Sequence, residues 1–292
     1  MSPAQPSKAF DLPVLLDILS YTDGEFVSIG HDGNDDGEFT TAVTALADAG
    51  GYVTRLADTA NVYFGVNPTR GPARNGGGRG AAKDITRLAA LWSDLDVKPG
   101  GCPDLQTAQA IISELSSILG TRPSAVTYSG GGCHPYWPFS DDEDAIELSE
   151  AAALVRRFGR LVKAVAQSHG AVADSVFDLA RMLRVPGTHN NKAAKNGQCG
   201  ALVRTLADCG GPLTVAEIGK RLNEFGIYTV GCGHLLPKIR TTCNSDQRTE
   251  PRARASRSAP TAARFGAVRL VDSPQMIFGR IGALASSASS AE

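Results

Sequence analysis

Leu91-Trp92-Ser93-Asp94-Leu95-Asp96-Val97 is the stretch on which the reading of this chain turns. Apolar at first and then alternately charged, it reads as a strand over residues 90–97. Side chains alternate between the two faces of a strand, so Asp94 and Asp96 project from one face and Leu95 from the other. Two neighbouring carboxylates repel each other, and burial raises the pKa of at least one of them. A divalent cation removes that conflict. Mg²⁺ takes hard oxygen ligands and keeps positions open for phosphate oxygens and water. The plainer reading is a strand end whose acids meet solvent, and an isolated Asp-x-Asp does not choose between the two.

Working outward, apolar spacing predicts helices over residues 8–19, 38–49, 104–119, 145–168 and 214–224, with residues 81–90 also helical. Gly50 and Gly51 are expected to stop the second of these. Asp104 stands at the start of the third and Gly120 at its end. Strands are expected over 25–30, 60–66 and 199–206, and a strand–turn–strand over 124–139. Residues 67–80, rich in glycine and arginine, read as a surface loop. A short apolar run at 171–173 ends at Asp174 and is followed by a helical turn. Residues 1–236 are expected to form the catalytic domain. Residues 237–292, basic and of low complexity, are expected to be a disordered linker or tail.

Two further stretches carry chemistry. Tyr128-Ser129-Gly130-Gly131-Gly132-Cys133-His134 places three glycines in a row, where the backbone can approach an anion and aim successive N–H groups at it. Ser129 adds a hydroxyl and His134 an imidazole donor, so Ser129, Gly130, Gly131 and His134 read as a triphosphate cradle. The competing reading is an ordinary glycine hairpin. In the segment from Asp174 to Lys192, an acid after an apolar run suits a metal site, with Asp174 preferred to Asp178. Arg181, Arg184 and Lys192 suit phosphates. The competing reading makes Asp178 and the arginines a salt-bridge network.

The order Asp-Leu-Asp, then Ser-Gly-Gly-Gly-Cys-His, then an acid before Leu179-Ala180-Arg181-Met182-Leu183-Arg184-Val185-Pro186-Gly187-Thr188-His189-Asn190-Asn191-Lys192, resembles the archaeo-eukaryotic primase superfamily. It resembles most of all the bifunctional primase-polymerase domains of phages and plasmids. Val62-Tyr63-Phe64-Gly65-Val66-Asn67-Pro68 fits that group too, and the resemblance spans roughly residues 25–206. It implies a two-lobed α/β (α+β) fold with an RRM-like catalytic sheet. It also implies a template-directed nucleotidyltransferase, a DNA primase or DNA polymerase, that joins nucleoside triphosphates to a 3′-hydroxyl by two-metal phosphoryl transfer with Mg²⁺ or Mn²⁺. By motif position Asp94, Asp96 and Asp174 would hold the metals, and Ser129 and His134 the phosphates of the incoming nucleotide. Implied partners are single-stranded or primer-template DNA, dNTP or NTP, and a helicase, fused or separate. Arg70, Arg74 and Arg79 are expected to follow the DNA backbone.

Composition narrows the alternatives. The net charge of −1 lacks the strong basic excess common in nucleic-acid binders, although basic residues gather over 70–87 and 238–269. No Gly-x-x-x-x-Gly-Lys-Ser/Thr occurs, so no P-loop lies in the chain. The six cysteines form no Cys-x-x-Cys pair. Cys199, Cys209, Cys232, His234 and Cys243 match no standard zinc knuckle, so zinc is not expected. No long apolar run and no signal segment appear, which leads us to expect a cytoplasmic protein, in a bacterial host if phage or plasmid encoded. The rival enzyme is a rolling-circle nicking nuclease, which needs paired histidines that His134 lacks. The rival from another class is a catalytically silent DNA-binding replication initiator.

Overall fold

The computed structural model describes residues 12–32, 39–57, 59–71, 81–140, 146–192, 200–207 and 210–228. All of them lie within one compact unit, Met1–Lys238. The expected tail over 237–292 lies outside the described residues.

The first sheet is antiparallel and ordered β2-β1-β3-β8. Its strands are β1 Phe26–His31, β2 Thr40–Ala45, β3 Val62–Gly65 and β8 Met182–Arg184. Helix α1, Leu12–Ile18, buries Leu12, Leu15 and Leu16. Helix α2, Leu46–Leu56, buries Ala49 and Val53. Here the sequence reading needs correction. Residues 40–45 are not helical but pair with β1 through six positions, from Phe26↔Ala45 to His31↔Thr40. Thr40, Thr41, Val43 and Thr44 are β-branched, which suits a pleated surface better than a helix. The ladder overrides the apolar spacing, and the helix starts where the branched residues end. Gly50 and Gly51, expected as its stop, sit inside α2, where an added Cβ would meet nothing.

A second correction concerns 81–90. Only Ala82–Asp84 turn, as a single 3₁₀ turn. The Asp84 carboxylate accepts from the Ala81 N–H at 2.7 Å, and the Arg70 N–H donates to the Asp84 carbonyl at 2.7 Å. The chain is thereby drawn alongside residues 68–70 and stays extended.

The second sheet runs β11-β6-β7-β4, with β5 also on β7. Its strands are β4 Ala90–Trp92, β5 Leu95–Asp96, β6 Ala125–Tyr128, β7 Gly132–Pro138 and β11 Arg204–Ala207. Helices α3 (Leu105–Leu119), α4 (Leu148–Ser168) and α5 (Val215–Glu224) accompany it. Asp104 caps α3 by accepting from the Thr107 N–H, and Gly120 ends it in the left-handed region at φ 76°, both as read from the sequence. Trp137 of β7 meets Phe158 of α4 edge-on at 5.8 Å, so the helices back one face. On the other face Tyr136 lies 6.4 Å from Phe64 of the first sheet. The order β4-α3-β6-β7-α4, with its first and third strands adjacent, is a β-α-β-β-α unit of the split type.

Residues 171–173 form no ladder, contrary to a regular strand, although Ala171 and Ala173 are buried and Val172 is exposed. After Asp174 the expected turn is a single one, closed by the Arg181 N–H donating to the Asp178 carbonyl at 3.1 Å. The Trp92 indole N–H donates to the Val176 carbonyl at 3.0 Å and fixes that segment. A small ladder, β9 His189–Asn190 with β10 Ala201–Leu202, completes the described elements. Among the described residues no helix is long and apolar enough to cross a membrane.

Candidate metal and nucleotide site

The strand expected over 90–97 is two short strands on one partner, interrupted at Ser93 and Asp94. The register does not slip across the gap. Trp92 pairs with Tyr136 on one side and Leu95 with Cys133 on the other, which sets Asp94 opposite His134. Ligand atoms of Asp94, Asp96 and His134 lie within 4.8 Å of one another. The His134 Nε2 is 3.2 Å from Asp94 Oδ1, with His134 almost fully buried and Asp94 mostly so.

The electrostatics split the two acids. Burial pushes the Asp94 carboxyl up, but the adjoining His134 imidazole, a hydrogen bond with Asp96 and the Lys98 charge outweigh it and hold it at about 2. Burial and the charge on Asp94 push Asp96 above the ordinary carboxylate range, against the pull of Lys98. Among the described residues five buried side-chain polar atoms lack a hydrogen-bond partner. Four of them, Ser93 Oγ, Asp94 Oδ1, His134 Nδ1 and Tyr136 OH, gather here, Asp94 Oδ1 having the His134 ion-pair contact as its one polar neighbour. Buried polar atoms are normally paired, so this concentration marks the place where the fold keeps donors and acceptors free.

Asp174 reaches the same place through Lys98. The Lys98 ammonium sits 2.6 Å from Asp174 Oδ2 and 3.2 Å from Asp96 Oδ2, so one cation serves both carboxylates. Its own pKa is raised, chiefly by the hydrogen bond to Asp174. Asp178 goes elsewhere and pairs with Arg181 at 2.8 Å.

The glycine turn sits beside the acids because β5 runs against it. Asp96 is in register with Gly132, and the Val97 N–H donates to the Gly131 carbonyl at 2.7 Å. A Cβ on Gly132 would strike the Leu95 carbonyl and Asp96 Cα. Gly130 adopts φ 80°. Two of the three glycines thus have structural reasons: one turns the chain and the other admits the acid-bearing strand. Ser129, expected to face a phosphate, is buried, and its hydroxyl donates to the Gly132 carbonyl at 3.2 Å within its own turn.

The first sheet contributes a polar knot. Asn61 donates to both Asp32 oxygens, at 2.9 and 3.0 Å. Its carbonyl oxygen accepts from Arg184 at 3.0 Å and from the Asn191 N–H at 2.7 Å. The buried Arg184 also stands 4.9 Å over the Tyr63 ring. Burial raises the Tyr63 hydroxyl, with Arg184 opposing and Asp32, Asp94 and Asp96 adding to the rise, which places that ring within the field of the acids. Asn190 donates to the Ser129 carbonyl at 2.9 Å. Neighbouring asparagines therefore tie the glycine turn of one sheet to Asn61 of the other. Lys192 is exposed just beyond them. Arg70 lies by the bridge of Thr69 to Phe26, at the opposite end of β1 from Asp32. Arg74 and Arg79 lie outside the described residues, as do Cys199, Cys209, Cys232, His234 and Cys243. Cys102 and Cys133 are free and buried, and burial pushes the Cys133 thiol up to about 11.

No family model matches this sequence, and no curated protein is similar to it. Among solved structures, the AEP domain of the cyanophage S-2L primase-polymerase overlays with a TM-score of 0.51 at 18% identity, covering 73% of this chain and 96% of that one. The fold is similar to that of this primase-polymerase AEP domain. Two structures of primase RepB′ overlay more loosely, at TM-scores of 0.46 and 0.45 and identities of 15% and 14%. They cover 74% and 73% of this chain and 62% and 95% of their own; the second is a catalytic domain with initiator DNA.

Within this primase-polymerase fold the sequence reading missed Lys98, Asn61, Asp32 and Tyr63. A lysine two residues past a strand looks like any surface charge. Asn61 makes its decisive bonds to residues 29 and 123 positions away, which no local pattern reveals. The one available signal lay in Asn190-Asn191, two amides in a row beside a predicted phosphate segment.

Proposed function

We propose that this protein is a divalent-metal-dependent, template-directed nucleotidyltransferase, a DNA primase or polymerase that joins dNTP or NTP to a 3′-hydroxyl on single-stranded or primer-template DNA. The observation that supports this best is the meeting of Asp94, Asp96 and His134 within 4.8 Å of one another, beside a glycine turn and with a buried arginine on the facing sheet. The donor set fits a hard divalent ion: two carboxylates, one of them holding a buried oxygen whose contact is the His134 imidazole. An added imidazole would suit Mg²⁺, which takes oxygen ligands, less well than a transition ion.

Asp94, Asp96 and Asp174 would together hold the metal, with Lys98 giving way where it now pairs with Asp96 and Asp174. When bound, the metal supplies charge neutralisation at the transferring phosphoryl group and a more acidic hydroxyl. The chain's own residues do the rest. Asp94, held near 2, remains a carboxylate at any working pH. The Gly130–Gly132 turn and His134 would receive the β- and γ-phosphates. Arg184, already oriented by Asn61, would place a charge-assisted donor on the facing side. Lys192 and the Arg70 loop would meet further phosphates, and a helicase, fused or separate, would supply template. The last 56 or so residues, if basic linker as composition suggests, would add DNA affinity but no chemistry.

A second reading makes His134 the third metal ligand, favoured by the same 4.8 Å clustering. The decisive experiment is incorporation of labelled nucleotide on a primed and an unprimed template, with Mg²⁺, with Mn²⁺ and with chelator. Metal-dependent incorporation lost in Asp94→Ala is the expected result. DNA binding with no incorporation under any metal would leave the replication-initiator reading instead.

A further inference from the structure

A concavity of about 230 Å³ lies between α4 and the segment that follows Asp174, lined by Arg156, Gly159, Arg160, Lys163, Ser175, Phe177 and Asp178. None of it belongs to the site described above. Arg156, Arg160 and Lys163 follow one another at intervals of four and three residues on α4, so they share one helix face, about 6 Å and 4.5 Å apart along the axis. Among the described residues no acid pairs with them. Arg160 donates to the Tyr228 carbonyl, and Lys163 donates to the Ser175 hydroxyl at 2.5 Å. Both acceptors are neutral. The one acid among the lining residues, Asp178, is engaged by Arg181 at 2.8 Å. Arg156 is exposed and pairs with no acid among the described residues.

The floor is aromatic. A Cβ on Gly159 would run into the Phe177 ring, so the glycine lets that ring lie down on the helix, where it meets Phe158 edge-on at 6.2 Å. Phe177 stays half-buried, with part of its surface toward the groove. A row of cations beside an accessible ring is the combination that holds single-stranded nucleic acid, the cations following the backbone and the ring taking a base. An acidic peptide would use the cations and leave the ring idle. The groove also has a direction: Ser175, at its end, is next in chain to Asp174, whose carboxylate shares Lys98 with Asp96.

We propose that Arg156, Arg160, Lys163 and Phe177 form a groove for the backbone of single-stranded DNA, leading the strand to the acid site at Asp174. This rests on the nucleotidyltransferase reading for its purpose but not for its test. The full chain is titrated against a fluorescein-labelled oligothymidylate about twenty nucleotides long, read by anisotropy, from about 50 to about 200 mM salt. Each phosphate neutralised on a single strand contributes about −0.7 to the slope of log K against log salt. The triple variant R156Q/R160Q/K163Q is expected to bind about tenfold more weakly at the low-salt end and to flatten that slope by about 2. Arg156→Gln, which gives up no internal partner and leaves the fold alone, should flatten it by about 0.7, while Arg156→Lys should keep it.

Wild-type slope and affinity in both glutamine variants would overturn the groove. So would displacement of the DNA by polyglutamate as efficiently as by unlabelled oligothymidylate, which would mark a general anion surface. The titration needs neither metal nor nucleotide. A protein that transfers no nucleotide yet shows these slopes refutes the proposed function and upholds the groove, and an active enzyme with unaltered slopes does the reverse.

Discussion

The acid row of the second sheet and the asparagine knot of the first sheet are built in opposite ways. In the knot every strong group is answered: Asn61 serves Asp32, Arg184 and Asn191 at distances between 2.7 and 3.0 Å. In the acid row two carboxylates of like charge stand side by side, and Ser93, His134 and Tyr136 each keep a buried polar atom without a hydrogen-bond partner. A satisfied network rigidifies, while an unsatisfied one is costly to keep. The difference teaches that the fold concentrates its unsatisfied groups at the acid row and uses its good hydrogen bonds to join the two sheets beside it.

The largest effects should come from the acids. Asp94→Ala and Asp96→Ala are expected to lower primer extension roughly a thousandfold or more, since lost neutralisation of transition-state charge is worth several kcal/mol. Circular dichroism should show an unchanged fold. Near-normal extension by either variant would sink the assignment of the row as catalytic. Asp174→Asn and Asp178→Asn sharpen it. The first removes a carboxylate that shares Lys98 with Asp96 and should cost activity heavily. The second breaks only a surface pair with Arg181 and should cost little.

The knot should respond in the other currency. Asn61→Ala strands Arg184, Asp32 and the Asn191 N–H together, and truncating one member of a buried charged network typically costs about 2–4 kcal/mol. A melting temperature lower by roughly 5–15 °C is expected for a domain of this size. A variant that melts with wild type would show that the knot is decoration, and the contrast drawn above would fail. His134→Ala should act more mildly, weakening nucleotide binding about ten- to a hundredfold by calorimetry if it serves the phosphates. Loss of Mn²⁺ affinity with nucleotide binding intact would instead make it the third ligand. A large fall in turnover with both affinities unchanged would make it a general base.

Legibility from the sequence followed the same division. Asp94 and Asp96 were readable because period two on a strand is a local rule, and α3 was readable because Asp104 and Gly120 are local stop signs. The helices expected over 145–168 and 214–224 and the strand–turn–strand over 124–139 were likewise readable. The 40–45 strand was not, because its apolar spacing mimics a helix and only pairing with β1 decides the matter. The glycine run was read as a phosphate cradle, but Gly132 is needed first for the approach of β5, a packing fact with no sequence trace. The knot was invisible for the same reason: its members meet only after both sheets have formed.

The smallest effect is also the one with the most telling sign. Asp96 lies above the ordinary carboxylate range because burial and the Asp94 charge disfavour its ionised form. A raised carboxyl favours the folded state below its unfolded value of about 3.9 and loses that contribution as pH rises through the folded value, so at neutral pH the ionised Asp96 costs stability. Asp94 runs the other way. Held at about 2, it contributes above about 3.9 and loses that contribution only as pH falls toward 2. Removing the charge of Asp96 therefore relieves a penalty while leaving the favourable partner in place. Asp96→Asn, melted with chelator at pH 7, should be more stable than wild type. The side chain is about a third exposed, so solvent screening keeps the gain to less than about 1 kcal/mol, a rise of at most roughly 2–4 °C. The gap should close below about pH 3, roughly a unit under the unfolded value, where wild-type Asp96 is protonated in both states. Adding Mn²⁺ should reverse the order, because an ion that binds only the folded state stabilises by mass action and the variant has lost a ligand. A variant less stable than wild type in chelator, or an order that Mn²⁺ leaves unchanged, would show that the acid row is not held apart by its own charge, and that its free groups are not kept for a cation.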